Sequence, residues 1–196
     1  PPRTDYVPRT EVQLGGFGGQ GIISAAKIVG QAAAIFDKLE ACFTQSYGPE
    51  ARDGSAGSQV VFASEPIHHP HIIEPASAII MSQATYTKYV NTLRPGGVLL
   101  IDEGLVPLAE DHRSDIVTYG LPATEIATEL GNSRSANTVM LGFWTAIVGG
   151  IRKEAMRLSI LDSVPPKTVD LNERAFEAGY QRGLQALQEQ EEQEPR

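Results

Sequence analysis

The segment Gly16-Phe17-Gly18-Gly19-Gln20-Gly21 constrains this chain more than any other stretch. It follows a short apolar run, Val12 to Leu14, and leads into a long apolar segment that starts at Ile22. Strand, glycine turn, helix is the expected order. Such a turn lets the backbone reverse sharply and come close to a ligand or a neighbouring chain. The helix that follows points its unpaired N–H groups and the positive end of its dipole back at the turn. Anions, phosphates above all, are held in that way. Gly18, in the middle of the turn, is expected to need a positive φ and close approach, so that a β-branched residue there would do damage.

Gly16, Gly18 and Gly21 also satisfy G-x-G-x-x-G, the dinucleotide fingerprint. That reading needs an acidic residue about 20 positions further on, at the end of the second strand, to hold the ribose. The second strand is expected at Ala41 to Gln45, and its end reads Thr44-Gln45-Ser46-Tyr47, without a carboxylate. Glu40 has the right count but stands at the start of the strand. Two other readings stay open: a turn that lines a ligand approach, and a turn that only packs helix on strand.

Strand and helix signals alternate along the rest of the chain. Strands are expected at Glu11–Leu14, Ala41–Gln45, Gln59–Ala63, Ser77–Met81, Val98–Asp102 and Ile116–Tyr119, with Ser46–Ser58 as a Gly-rich loop. Helices are expected at Gly21–Phe36, Thr85–Leu93, Pro122–Leu130, Asn137–Ile147, Lys153–Leu161 and Val169–Gln188. Several strands are apolar on both faces, which implies cover on both sides. The fold class is therefore α/β: a single Rossmann-like domain, a mainly parallel sheet with helices on both faces, with the Gln59 strand pairing antiparallel to the Ala41 strand. The domain is expected over 11–188, with 1–10 and the Glu/Gln-rich 189–196 as flexible termini.

Charge and cysteine content exclude several functions. The formal net charge is −8, which opposes the basic surface that nucleic-acid binding requires. No apolar run reaches the length of a membrane span. The polar, Pro-rich Pro1 to Thr10 shows no signal-peptide pattern, so a cytoplasmic location is expected. A single cysteine, Cys42, rules out an internal disulfide and an iron–sulfur cluster held by this chain alone. Cys42 is expected to be a small buried apolar residue.

Three further segments stand out. Gln45 to Gly54 is a polar loop after a strand, the edge at which open α/β sheets bind ligands. Within it Arg52 offers a planar donor fork for carboxylate or phosphate, or forms a salt bridge with Glu50 or Asp53. His68, His69 and His71 crowd together, but Pro70 breaks any helical spacing and no acid or cysteine completes a ligand set nearby; a solvated loop is expected. Asn137 follows Ser133-Arg134-Ser135-Ala136; a buried asparagine must hydrogen-bond something, so a neighbouring loop or subunit is its expected partner.

Taken together, Gly16–Gly21 after a strand, Ser46-Tyr47-Gly48-Pro49-Glu50-Ala51-Arg52, the Val-rich strand before Ile67, and Asn137-Thr138-Val139-Met140-Leu141-Gly142 resemble the gamma subunit, or gamma domain, of 2-oxoacid:ferredoxin oxidoreductases. The resemblance covers Glu11 to Leu187. One departure is Arg52-Asp53-Gly54, where the family often has Arg followed directly by Gly. The resemblance implies a complex that decarboxylates a 2-oxoacid on thiamine diphosphate with Mg, passes electrons singly through [4Fe–4S] clusters, and hands the acyl group to coenzyme A. It implies that this chain binds no cofactor alone and has no catalytic residue or metal ligand of its own. Its partners would be the alpha and beta catalytic subunits and a ferredoxin-like subunit. The implied ligand or interface residues are Gly16, Phe17, Gly18, Gly19, Gln20, Gly21, Ser46, Tyr47, Gly48, Pro49, Glu50, Arg52 and Asn137. The rival expectation is an independent Rossmann domain that binds NAD(P) or FAD.

Overall fold

A computed structural model of the chain describes residues 5–46, 54–108 and 113–193. Six strands form one sheet: β1 (Thr10–Phe17), β2 (Glu40–Ser46), β3 (Ser55–Ala63), β4 (Ser77–Ile80), β5 (Val98–Asp102) and β6 (Val117–Leu121), in the order β2-β3-β1-β4-β5-β6. Pairings from β1 through β4 and β5 to β6 are parallel. β3 alone runs backwards, antiparallel to both β1 and β2. Five strands therefore end at one edge of the sheet, and that carboxyl edge carries the glycine turn.

Alternation along β4 and β5 divides the core in two. Ile79 and Leu100 face a large cluster built with α1 (Ile22–Gln31), α3 (Ala123–Glu129), α4 (Ala136–Ile147), α5 (Lys153–Ser163) and α6 (Val169–Gln193). Ala78, Ile80, Leu99 and Ile101 face a smaller cluster under α2 (Gln83–Tyr89) and the turn after it. Both faces are covered, but unequally. On the larger side Trp144 is fully buried, meets Phe62 edge-on at 6.2 Å, and donates its indole N–H to Ser77 Oγ at 3.0 Å. A buried indole N–H needs such a partner.

The structure departs from the sequence expectation at β3, the first helix, α6 and Cys42, each for a tertiary reason. β3 starts at Ser55 rather than Gln59. Ser55 to Ser58 are weak strand formers, but they pair with the glycine end of β1, Gly57 opposite Gly15 and Ala56 opposite Gly16. The first helix keeps α geometry only to Gln31 and then widens into a π turn over Ala32–Phe36. The turn ends at Asp37, whose carboxylate is fully buried and bonded to Arg152, just ahead of α5. α6 continues past Gln188 to Gln193, where Gln190 accepts a hydrogen bond from the Tyr119 hydroxyl of β6. Cys42, expected in the core, is only half-buried because β2 is an edge strand.

α4 and α6 meet backbone to backbone at Gly142 and Gly179. A Cβ on Gly142 would strike the Phe176 carbonyl, and one on Gly179 would strike the Val139 carbonyl. Backbone atoms cannot swing aside as side chains do. Gly179→Ala should therefore destabilise the fold by about 1–3 kcal/mol, the usual cost of overpacking. Thermal melts should show a loss of roughly 2–4 °C per kcal/mol. An unchanged melting temperature would mean that the two helices can separate at no cost.

Candidate functional site at the carboxyl edge

Gly16 and Phe17 close β1, and the chain then turns through Gly18, Gly19, Gln20 and Gly21 into α1. Gly19 has φ 91° and Gly21 has φ 72°. Gly21 is the N-cap of α1, and its carbonyl accepts the Ala25 N–H at 2.8 Å. A left-handed backbone there suits glycine because it has no Cβ. Gly18 does not meet its expectation: its φ is not positive, and an added Cβ would meet nothing nearer than the Gly54 carbonyl at 3.5 Å. The strain falls at Gly19 and Gly21 instead, where the chain direction reverses.

Gln20 ties the turn shut. Its Oε1 accepts the Phe17 N–H at 2.6 Å, and its Nε2 donates to the Met81 carbonyl at 2.9 Å. This joins the end of β1 to the end of β4. A side chain on Gly16 would displace it, because a Cβ there would stand 2.5 Å from Gln20 Oε1. Across the turn, the Gly18 N–H donates to the Gly54 carbonyl at 2.7 Å. Gly54, the residue just ahead of β3, therefore stands beside the glycine turn. Ser46 ends β2 at the same edge; Tyr47, Gly48, Pro49, Glu50 and Arg52 lie outside the described residues.

Asn137, in the first turn of α4, reaches the glycine turn directly. Its Nδ2 donates to the Gly21 carbonyl at 3.2 Å, and its Oδ1 accepts the Thr138 N–H at 2.8 Å. The sequence-expected residues Gly16 to Gly21, Ser46 and Asn137 thus share one edge. Phe17 stands out from it, 45% exposed.

A cleft of about 180 Å³ opens beside the turn. It is lined by Gly19 and Gln20 of the turn, Met81 after β4, Leu105 after β5, Thr124 of α3, and Ser133 and Arg134 of the single turn ahead of α4. A second groove of about 480 Å³ lies on the far side of Arg134, bordered by Asn137, Lys167 and Asn172. Sequence reasoning missed Thr124 and the carboxylate behind it, Asp102. Asp102 ends β5, is fully buried, and accepts both the N–H and the hydroxyl of Thr124 on Oδ2. An apolar strand that ends in an acid was the available signal.

The dinucleotide reading loses its geometry here. In the dinucleotide fold the ribose-binding acid ends the strand next to β1. Here β3 separates β2 from β1, and Glu40 lies at the opposite edge of the sheet from the glycine turn. His68, His69 and His71 also lie away from the site, beside Arg9 and Glu11 near the start of β1. Among the described residues no three His, Cys, Asp or Glu side chains are grouped to hold a metal ion.

Relatives share this architecture. Residues 11–182 match the family described as pyruvate ferredoxin/flavodoxin oxidoreductase. The chain is 47% identical to the 2-oxoglutarate synthase subunit KorC of Methanocaldococcus jannaschii, over 88% of this chain and 93% of that one. It is 32% identical to the ketoisovalerate oxidoreductase subunit VorA of Methanothermobacter marburgensis, over 86% of this chain but 35% of VorA. Among solved structures it matches a keto/oxoacid ferredoxin oxidoreductase gamma subunit from Geobacter sulfurreducens, with a TM-score of 0.81 and 34% identity, over 90% of this chain and 99% of that one. This fold with this edge defines a gamma-type oxidoreductase domain, which occurs both as a separate chain and as about a third of a longer one. The chain belongs to the pyruvate ferredoxin/flavodoxin oxidoreductase family.

The turn geometry ranks its glycines. Gly21→Ala should lower stability by about 1–2 kcal/mol, since a left-handed residue with a Cβ carries that cost, and should also disturb Asn137. Gly18→Ala should stay within roughly 0.5 kcal/mol of wild type, as substitutions away from packing and strain do. Denaturant titration of both variants checks the order; equal losses would contradict it.

Proposed function

We propose that this chain is the gamma subunit of a thiamine-diphosphate-dependent, coenzyme A-acylating 2-oxoacid:acceptor oxidoreductase, and that its glycine turn lines the approach used by coenzyme A. The observation that carries the reading is the meeting of Gly16–Gly21, Asn137 and Gly54 at the carboxyl edge of the sheet, in a chain 47% identical to KorC. That identity favours 2-oxoglutarate as the oxoacid, and the likeness to the Geobacter sulfurreducens gamma subunit favours ferredoxin as the acceptor. Arg52 supplies a cation to the same approach.

Within the complex, thiamine diphosphate with Mg supplies the decarboxylation, [4Fe–4S] clusters carry the electrons, and coenzyme A accepts the acyl group. These 196 residues do not fit a cluster: one cysteine cannot replace the four thiolates that such a cluster needs. The cofactors are assigned to alpha, beta and ferredoxin-like partners. This chain contributes a rigid wall: a closed glycine turn on α1 that leaves room for a ligand to approach the backbone. A cytoplasmic location suits a ferredoxin-coupled complex, and no described helix is long and apolar enough to cross a membrane.

Purified alone, the chain should not oxidise any 2-oxoacid; joined with its partner subunits, it should support coenzyme A-dependent turnover with the highest kcat/KM for 2-oxoglutarate. Turnover by the isolated chain would overturn the subunit reading. Preference for pyruvate or a branched oxoacid would overturn only the substrate assignment. In the same complex, Arg52→Ala should cost roughly ten- to a hundredfold in kcat/KM for coenzyme A, the scale of one charge-assisted hydrogen bond. Lysine should rescue it poorly, because an ammonium cannot present the planar fork. Unchanged kinetics would assign Arg52 to a surface ion pair.

A further inference from the structure

The polar side chains around the 180 Å³ cleft are unequally committed. Gln20 has both ends of its amide in use, on Phe17 and Met81. Thr124 donates its hydroxyl proton to Asp102, which leaves it only acceptor capacity to offer the cleft. Behind it, Asp102 Oδ1 is buried and has no hydrogen-bond partner among the described residues. Thr124 and Asp102 favour donors and repel anions. Arg134 is the reverse. Asn132 accepts the Arg134 N–H on its side chain at 3.0 Å, while its own carbonyl accepts the Ser135 N–H at 3.0 Å and hydroxyl at 2.8 Å. The turn that carries Arg134 is therefore fixed, yet the Arg134 guanidinium and the Ser133 hydroxyl have no partner among the described residues. Arg134 borders both the cleft and the 480 Å³ groove. A planar, uncommitted guanidinium on a rigid turn suits a phosphate.

We propose that Arg134, with Ser133, is a phosphate-binding position for the acyl acceptor, and that Thr124, held as an acceptor by Asp102, receives an amide N–H of the same ligand. The ligand class is a phosphorylated, amide-bearing thiol, with its phosphate end at Arg134 and its amide-bearing arm at Thr124 in the same cleft. The inference rests on the coenzyme A reading above and deepens it by naming residues that neither the motifs nor the comparisons assign. Arg134 acts by binding and positioning.

The test uses the assembled complex and two acceptors, coenzyme A and pantetheine, which lacks every phosphate. Arg134→Ala should raise the KM for coenzyme A by roughly ten- to a hundredfold, the scale of a charge-assisted contact. It should leave the KM for pantetheine and for the 2-oxoacid unchanged, and Arg134→Lys should recover part of the loss. Thr124→Val should raise the KM for both acceptors together. An Arg134→Ala complex with unaltered coenzyme A KM, or with equal rises for coenzyme A and pantetheine, would overturn the inference and leave the proposed function standing. A wild-type complex that turns over without any dependence on coenzyme A would overturn both.

Discussion

Gly15 and Gly16, just before the end of β1, carry no side chains, and the molecule closes around that gap. Gly15 leaves room for Thr85, whose Cβ would stand 2.8 Å from an added methyl, and Gly57 on the neighbouring strand leaves room for the Tyr89 hydroxyl. Gly16 leaves room for the Gln20 amide and the Ile22 side chain. α2 can therefore press on one face of the central strands and α1 on the other. One amide then locks the arrangement, since Gln20 bonds both Phe17 and Met81. Without these vacancies the ends of β1 and β4 could not be joined so tightly, and α1 would not start where Asn137 can reach Gly21.

Consequences run from this packing to chemistry. The parallel run β1-β4-β5-β6 places the ends of four strands side by side, and the reversed β3 brings Gly54 back to the same edge. Loops at such an edge can vary without disturbing the sheet, which is why ligands in open α/β folds gather there. In this chain the edge is divided electrostatically. Asp102 and Thr124 present acceptors near the cleft, and Arg134 borders the same cleft with a cation. A ligand with a phosphate at one end and amide groups along its arm meets both demands.

Much of this was legible in the residues. Apolar β4 and β5 could only be buried strands, and the glycine turn marked a strand-to-helix junction with a special backbone. What local patterns could not show was pairing. Ser55 to Ser58 look like loop until β1 supplies glycines opposite them. The π turn at Ala32–Phe36 depends on a contact from Asp37 to Arg152, over a hundred residues away. Gly18 appeared to be the strained glycine because it sits in the middle of the motif, whereas the reversal occurs at Gly19 and Gly21. Asp102 was visible as a strand-ending acid, but its grip on Thr124 depends on how α3 folds back over β5.

Hydrogen–deuterium exchange on the assembled complex, with and without coenzyme A, tests the central claim most directly. Occupancy of the approach should slow exchange at Gly18, Gly19 and Gln20 in the glycine turn. Amides at the amino end of the sheet, around His68 to His71, should be unaffected. Unchanged exchange throughout residues 17–21, with protection by coenzyme A found only in the partner subunits, would contradict the account.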